Sequence, residues 1–230
     1  MRPAAPQVPV AAGREKFCMA CAAARGRVGG RARASSGPAR CGISPGMSET
    51  LPPLSSGLAP ETPEGLLARL DRLGIPARTV THPPLHTVAE SKALRGALPG
   101  LHVKNLFLRP RAPGPYLLLV LEEDRQVSVN ALLRALGAGR GSFATAAELW
   151  SELGVAPGSV SPLGLVNARP GRVRVAIDTL LLRGDGPLNL HPLTNTATTA
   201  LAAADLLRFL RALGHAPEEL PLDGQEPPPD

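Results

Sequence analysis

Hydrophobic positions recur along the chain with two different periods, and the period marks the elements. In Thr62–Gly74 the residues Leu66, Leu67, Leu70 and Leu73 fall on one face. Thr62-Pro63 supplies an N-cap followed by proline at the first helical position, and Gly74 can close the segment, so the pattern predicts a helix. Ile75–Thr81 reads as a short strand. It is halted by His82-Pro83-Pro84, where consecutive prolines forbid helix and hold the backbone extended. Thr87-Val88-Ala89-Glu90 has the spacing of a capping box and predicts a short helix ending near Gly96.

Two apolar runs, His102–Arg109 and Tyr116–Leu121, flank the turn-rich Pro110-Arg111-Ala112-Pro113-Gly114-Pro115, so an antiparallel hairpin is the simplest pairing. Ala131–Leu136 predicts a helix with Gly137 behind it. Thr145-Ala146-Ala147-Glu148 is a second capping box, opening a helix that Gly154 ends. Leu165–Asn167, Val173–Asp178 and Leu188–His191 read as strands. Asp205–Leu213 predicts a terminal amphipathic helix carrying Leu206, Leu207, Phe209 and Leu210, closed by Gly214, after which proline-rich sequence resumes. Strands and short helices without strict alternation predict an α+β or irregular α/β domain.

Three polar stretches interrupt this pattern. Lys104-Asn105 stands directly against the first apolar run, and a lysine held there is costly unless it meets an anion or a polarised carbonyl. Pro157-Gly158-Ser159-Val160-Ser161-Pro162-Leu163-Gly164 is a loop of small residues whose two glycines permit close backbone approach to a ligand. His191-Pro192-Leu193-Thr194-Asn195-Thr196-Ala197-Thr198 puts an imidazole, an amide and three hydroxyls after an apolar strand. With His82 in a second His-Pro dipeptide, these groups can line a small polar pocket with a cationic edge, suited to a small zwitterion or an ester near phosphate. The sequence holds no G-x-S-x-G, H-E-x-x-H, Walker or dinucleotide-binding motif, which removes the common reaction classes they announce.

Composition bounds the picture. The 230 residues, 43% hydrophobic, suffice for one domain with flanks, and the 26 prolines and 24 glycines cluster towards the ends. The expected organisation is a disordered extension over 1–60, a folded domain over 61–222 and a disordered tail over 223–230. A formal net charge of +6 suggests a nucleic-acid binder until it is split by position. Residues 1–47 hold eight lysines and arginines against Glu15 alone, so the remainder is close to neutral and RNA must be met by a local patch. Cys18, Cys21 and Cys41 all lie in that N-terminal segment. Cys18-Met19-Ala20-Cys21 is half a zinc site with no second pair following, so no metal is expected. No apolar stretch reaches the roughly 20 residues that span a bilayer, and no membrane partner is expected. The Arg-rich, acid-poor N-terminal segment has the composition of a mitochondrial transit peptide and equally of an over-extended reading frame with its start at Met47. A cytoplasmic location is expected, or a mitochondrial one if residues 1–47 act as a transit segment.

Lys104-Asn105-Leu106-Phe107-Leu108, the Pro157–Leu165 loop and His191–Thr198, taken in order, resemble the prolyl-tRNA synthetase editing-domain family, the YbaK-like or ProX-like deacylases. The resemblance runs from about Leu66 to Leu222 and takes in the His82–Glu90 segment and the Ala204–Leu210 helix. It implies a single α+β domain, without cofactor, that hydrolyses in trans the ester of a mischarged aminoacyl-tRNA, alanine on proline tRNA above all. Its partners would be the acceptor end of that tRNA and prolyl-tRNA synthetase, not DNA. By the same resemblance Lys104 is the essential lysine, meeting the terminal phosphate or ester oxygen, and Gly158, Ser159, Ser161, Pro162 and Gly164 belong to the loop whose amides face the substrate carbonyl. His82 and His191 line the aminoacyl pocket, with Asn105 and Asn195 as neighbours. The sequence departs from the family in the bulkier Leu101-His102-Val103 before Lys104, and in Ala202-Ala203 where a capping hydroxyl is usual. An alternative from another class is a catalytically silent module of the same fold that docks on tRNA or a synthetase.

Overall fold

Leu117–Leu121 is buried at all five positions, so this run must be covered on both faces and flanked on both edges. The computed structural model, which describes residues 52–84 and 98–222, makes it the middle of a mixed eight-stranded sheet. In chain order the strands are β1 (Arg78–Thr81), β2 (Leu101–Pro110), β3 (Tyr116–Glu122), β4 (Gly141–Phe143), β5 (Val173–Asp178), β6 (Leu188–Leu190), β7 (Ala197–Leu201) and β8 (Glu218–Leu220). They lie in the order β1-β7-β6-β2-β3-β5-β8, with β4 added beside β2. The helices are α1 (Pro63–Arg72), α2 (Val129–Ala135), α3 (Ala146–Leu153), α4 (Thr179–Arg183) and α5 (Ala203–Ala212).

The local signals act as expected. Thr62 Oγ1 accepts from the Gly65 amide at the start of α1, and Thr145 and Glu148 complete a reciprocal capping box on α3. Gly154, at φ 64°, ends α3 in the left-handed conformation that costs a side-chain-bearing residue about 1 kcal/mol. The β2–β3 hairpin is in the predicted pairing, with Lys104 opposite Leu121 and Asn105 opposite Val120. Apolar faces of α1, α3, α4 and α5 cover one side of the sheet around Phe107, Leu118, Val120 and Ile177. On the other side α2 packs Leu132 and Leu133 against Leu108, Leu119 and Leu121. Asp178, fully buried at the end of β5, caps α4 through the Leu180 amide and is held by the Arg125 guanidinium at 2.9 Å.

Several expectations change. Leu165–Asn167 is not a strand: Pro162–Val166 winds as a 3-10 turn because Ser161 caps it and proline occupies its first position. The chain does not end its regular structure with α5, since Glu218–Leu220 returns as β8, parallel to β5. Within 52–60, expected as part of the extension, Leu54 is buried and the Pro52 carbonyl accepts from the Trp150 indole. The helix expected at Thr87–Gly96 lies outside the described residues.

Candidate active site

β2 is the strand that positions the site, because its pairing on one edge is broken. Leu101 and His102 pair with β6, and Leu108 to Pro110 pair with β4. Between them, Val103–Phe107 meets a partner strand only on the β3 side among the described residues. The Pro157–Gly164 loop lies against this stretch. Asn105 Nδ2 donates to the Val160 carbonyl at 2.9 Å, fastening the loop to β2. That bond fixes the amide orientation and leaves Asn105 Oδ1 buried with no donor among the described residues. A buried acceptor left without a donor costs about 1–3 kcal/mol, so it marks a place where a ligand donor is favoured.

Within the loop, the predicted residues divide. Gly158 is exposed at φ 89°, and no backbone carbonyl among the described residues accepts from the Gly158 or Val160 amides. Ser159 is buried and its amide donates to Ala156. Ser161, Pro162 and Gly164 are buried in the 3-10 turn, where Ser161 Oγ accepts from the Leu163 amide and Gly164 packs on Leu153. The expectation that both glycines open the backbone to a ligand therefore narrows to Gly158. Gly164 faces α3 instead, where a β-carbon would make only ordinary contact with Leu153.

The β6–β7 turn closes the other side. His191 Nδ1 donates to the Ala197 carbonyl at 3.1 Å, which leaves Nε2 as the acceptor of the neutral ring. Burial draws the His191 pKa below its ordinary value; the Ala197 carbonyl opposes this and the neighbouring His82 adds to it. His82 donates from Nδ1 to the Pro83 carbonyl and accepts at Nε2 from Thr198 Oγ1, each at 2.9 Å. Asn195 reaches from the turn to within 3.8 Å of where a β-carbon on Gly158 would stand. Leu193, buried and at φ 64°, holds this turn in a left-handed conformation unusual for a side-chain-bearing residue. His82 and His191 thus stand together, Asn195 lies near Gly158, and Asn105 holds the loop that carries Gly158.

Lys104 is placed differently. Adjacent residues of a strand face opposite sides, and Asn105 looks towards the loop, so Lys104 leaves β2 on the face of Leu106, Leu108 and Leu121. It stands beside the β3 exit, where carboxylate oxygens of Glu122, Glu123 and Asp124 lie within 4.8 Å of one another. Burial lowers the Lys104 pKa, and the three carboxylates, Glu122 most, oppose that and favour the charged ammonium. This acidic trio was missed as a neighbour of Lys104, although the hairpin register alone predicts it. A cavity of about 520 Å³ opens elsewhere, along Arg78, Val80, Pro99 and Ala200, and holds none of the predicted site residues.

The candidate site thus offers a neutral imidazole, an amide oxygen without a donor and two backbone amides with no carbonyl acceptor among the described residues, a set of donors and acceptors suited to a small polar group. The chain belongs to the aminoacyl-tRNA editing domain family, whose model matches residues 82–209. It is 37% identical over 158 residues to the prolyl-tRNA synthetase associated domain-containing protein 1 of Bos taurus, covering 67% of this chain and 92% of that one. It is also 31% identical over 152 residues to the prolyl-tRNA editing protein ProX of Acetoanaerobium sticklandii, covering 66% of this chain and 92% of that one. Among solved structures, a protein described as a candidate trans-editing enzyme for prolyl tRNA synthetase superposes with a TM-score of 0.53 at 24% identity, over 71% of this chain and 98% of that one. No helix of the described residues is long and apolar enough to cross a membrane.

Proposed function

We propose that this protein hydrolyses mischarged aminoacyl-tRNA in trans, with alanine on proline tRNA as the substrate. The observation that carries the reading is the buried Asn105 Oδ1 without a donor, on the strand that anchors the Gly158 loop; with the acceptor Nε2 of His191 on the β6–β7 turn it suits the α-ammonium of an aminoacyl group. The amides of Gly158 and Val160 supply donors for the oxygen that becomes anionic when water adds to the ester carbonyl. Collapse of that intermediate expels the terminal ribose oxygen, which takes a proton, and releases the amino acid as its carboxylate. Lys104, rising from the stretch of β2 with one free edge, meets the terminal phosphate by bringing its long stem around that edge.

A second sieve of this kind answers a physical need. A pocket shaped for proline excludes the smaller alanine by only about 1–3 kcal/mol, so a smaller recess that admits alanine and rejects proline restores fidelity. The test is alanine release from alanyl-tRNA(Pro) by wild type and by Lys104→Ala. Wild type should turn over and the variant should lose roughly 10- to 150-fold in kcat/KM, the worth of one charge-assisted hydrogen bond to the phosphate. Equal rates in the two would refute the role of Lys104. The departure of Lys104 from the face of the loop favours one second reading, a silent tRNA- or synthetase-binding module, for which wild type would bind the tRNA and release no alanine.

A further inference from the structure

At the other end of β2 from His102 the surface changes character. Arg109, Arg111 and Arg140 surround a hollow of about 280 Å³ together with Asn130 and Ser142. The Arg111 amide donates to the Arg140 carbonyl at 2.7 Å, extending the β2–β4 ladder and holding the two side chains at one rim. Arg109 shares its charge with Glu148 at 2.8 Å, whereas among the described residues no carboxylate pairs with Arg111 or Arg140. Next along β4, Phe143 leaves 60% of its surface in water. It is the one exposed aromatic among the described residues, on a chain with few aromatics to spare.

An exposed ring beside uncompensated guanidinium groups on a three-residue edge strand is the combination that binds single-stranded nucleic acid, the cations taking phosphates and the ring stacking a base. It lies on the Lys104 face of β2, opposite that of Asn105, so one ligand reaches both the patch and the recess around the free edge of the strand. Phe143 pairs with Leu108, and Leu108 shares its face of the sheet with Lys104 four residues back, about 13 Å along the strand. Among the described residues β4 pairs with β2 alone, which leaves its other edge open beside the exposed Phe143. Outside residues 1–47 the chain is close to neutral, so a local patch is what remains for the folded domain to hold RNA.

Resting on the proposed function, we infer that Phe143 with Arg111 and Arg140 is a platform for the single-stranded 3′ end of the tRNA, on which an unpaired base stacks while its ester enters the recess. The platform binds the strand; it does no chemistry. A basic and aromatic patch of this kind also resembles a docking face for an acidic protein surface, and the experiment separates the two.

The test uses the full chain and a proline-tRNA acceptor helix in two forms, with its single-stranded 3′ end and blunt, in fluorescence-anisotropy titrations. Phe143→Ala should weaken binding of the form with the 3′ end by roughly 5- to 150-fold, as expected for one base–aromatic stack, and leave the blunt form unchanged. Phe143→Trp should restore the affinity. Arg111→Ala with Arg140→Ala should lower the salt slope of log K by about 1.4, two cations on a single strand. All three positions are exposed, and unchanged unfolding midpoints check that the variants fold. In turnover of alanyl-tRNA, Phe143→Ala should raise KM and keep kcat, while hydrolysis of alanyl-adenosine, which cannot reach the platform, stays at the wild-type rate. Wild-type affinity in Phe143→Ala, or equal effects on blunt and overhanging helices, would overturn the inference. So would loss of prolyl-tRNA synthetase binding with RNA affinity intact, which would assign the patch to a protein. A wild type that hydrolyses neither substrate sinks the deacylase reading alone, since the binding titrations still decide the platform.

Discussion

Asn105→Ala separates a substrate group from a structural one, because the two roles of this side chain have opposite energetic signs. The substitution removes the 2.9 Å bond from Nδ2 to the Val160 carbonyl, a neutral hydrogen bond worth about 0.5–1.5 kcal/mol. It also removes Oδ1, which lies buried without a donor and costs about 1–3 kcal/mol in the free protein. The two effects nearly cancel, so urea denaturation should place the variant within about 1 kcal/mol of wild type. Catalysis has no such compensation. If Oδ1 accepts the α-ammonium, the lost charge-assisted bond is worth about 1.5–3 kcal/mol, and kcat/KM for alanine release should fall roughly 10- to 150-fold. A stability loss above about 2 kcal/mol with unchanged alanine release would refute this reasoning and make Asn105 a clamp for the loop only.

Asp178→Ala should destabilise the domain by about 3–5 kcal/mol in the same denaturation assay, because it leaves the Arg125 guanidinium without the fully buried carboxylate it grips and strips the cap from α4. Burial holds the His215 pKa below its ordinary value, with the Leu165 and Ala168 carbonyls opposing, so the unfolded chain binds the proton more readily than the native one. Stability from this group is complete above about pH 6.5 and is lost as pH falls towards the depressed native value; thermal unfolding midpoints should drop between pH 7 and 5, and less steeply in His215→Gln. Ala202 opens α5 with no side-chain cap bond, and Ala202→Ser should raise stability by about 1 kcal/mol in urea denaturation.

What was legible in the sequence is what short-range physics encodes. Thr62-Pro63, the Thr145–Glu148 capping box and the glycines after α1 and α3 act within a few residues, and their elements appear where the spacing puts them. The hairpin followed from two apolar runs and a turn that offers no other pairing. The residues gathered at the recess come from four separate segments, and their family resemblance, more than any local pattern, connected them. What was missed depends on distant partners. Glu218-Glu219-Leu220 carries no alternation and becomes a strand only because β5 offers an open edge. Leu165–Asn167 looks apolar enough for a strand, but Ser161 and Pro162 start a tight turn first. Leu54 is buried by contact with α3, which nothing near it in sequence announces. The opposite facing of Lys104 and Asn105, by contrast, was available from the period of a strand alone.

The two-rung join between β2 and β6 gives the domain a seam. On one side lie β1, β7 and β6 with both histidines; on the other lie β2, β3, β4, β5 and β8 with Asn105 and the anchored loop. Among the described residues Leu101 and His102 alone carry the ladder across, helped by the Leu101 amide donating to Pro187 and by Asn189 Nδ2 reaching the Leu101 carbonyl at 3.4 Å. A molecule seated in the recess would bridge that seam, so part of its binding energy would go into stapling the halves together. Amides flanking the seam would then exchange with deuterium more slowly in the bound protein than contact alone explains, and the protein's thermal resistance would report on occupancy of its own recess.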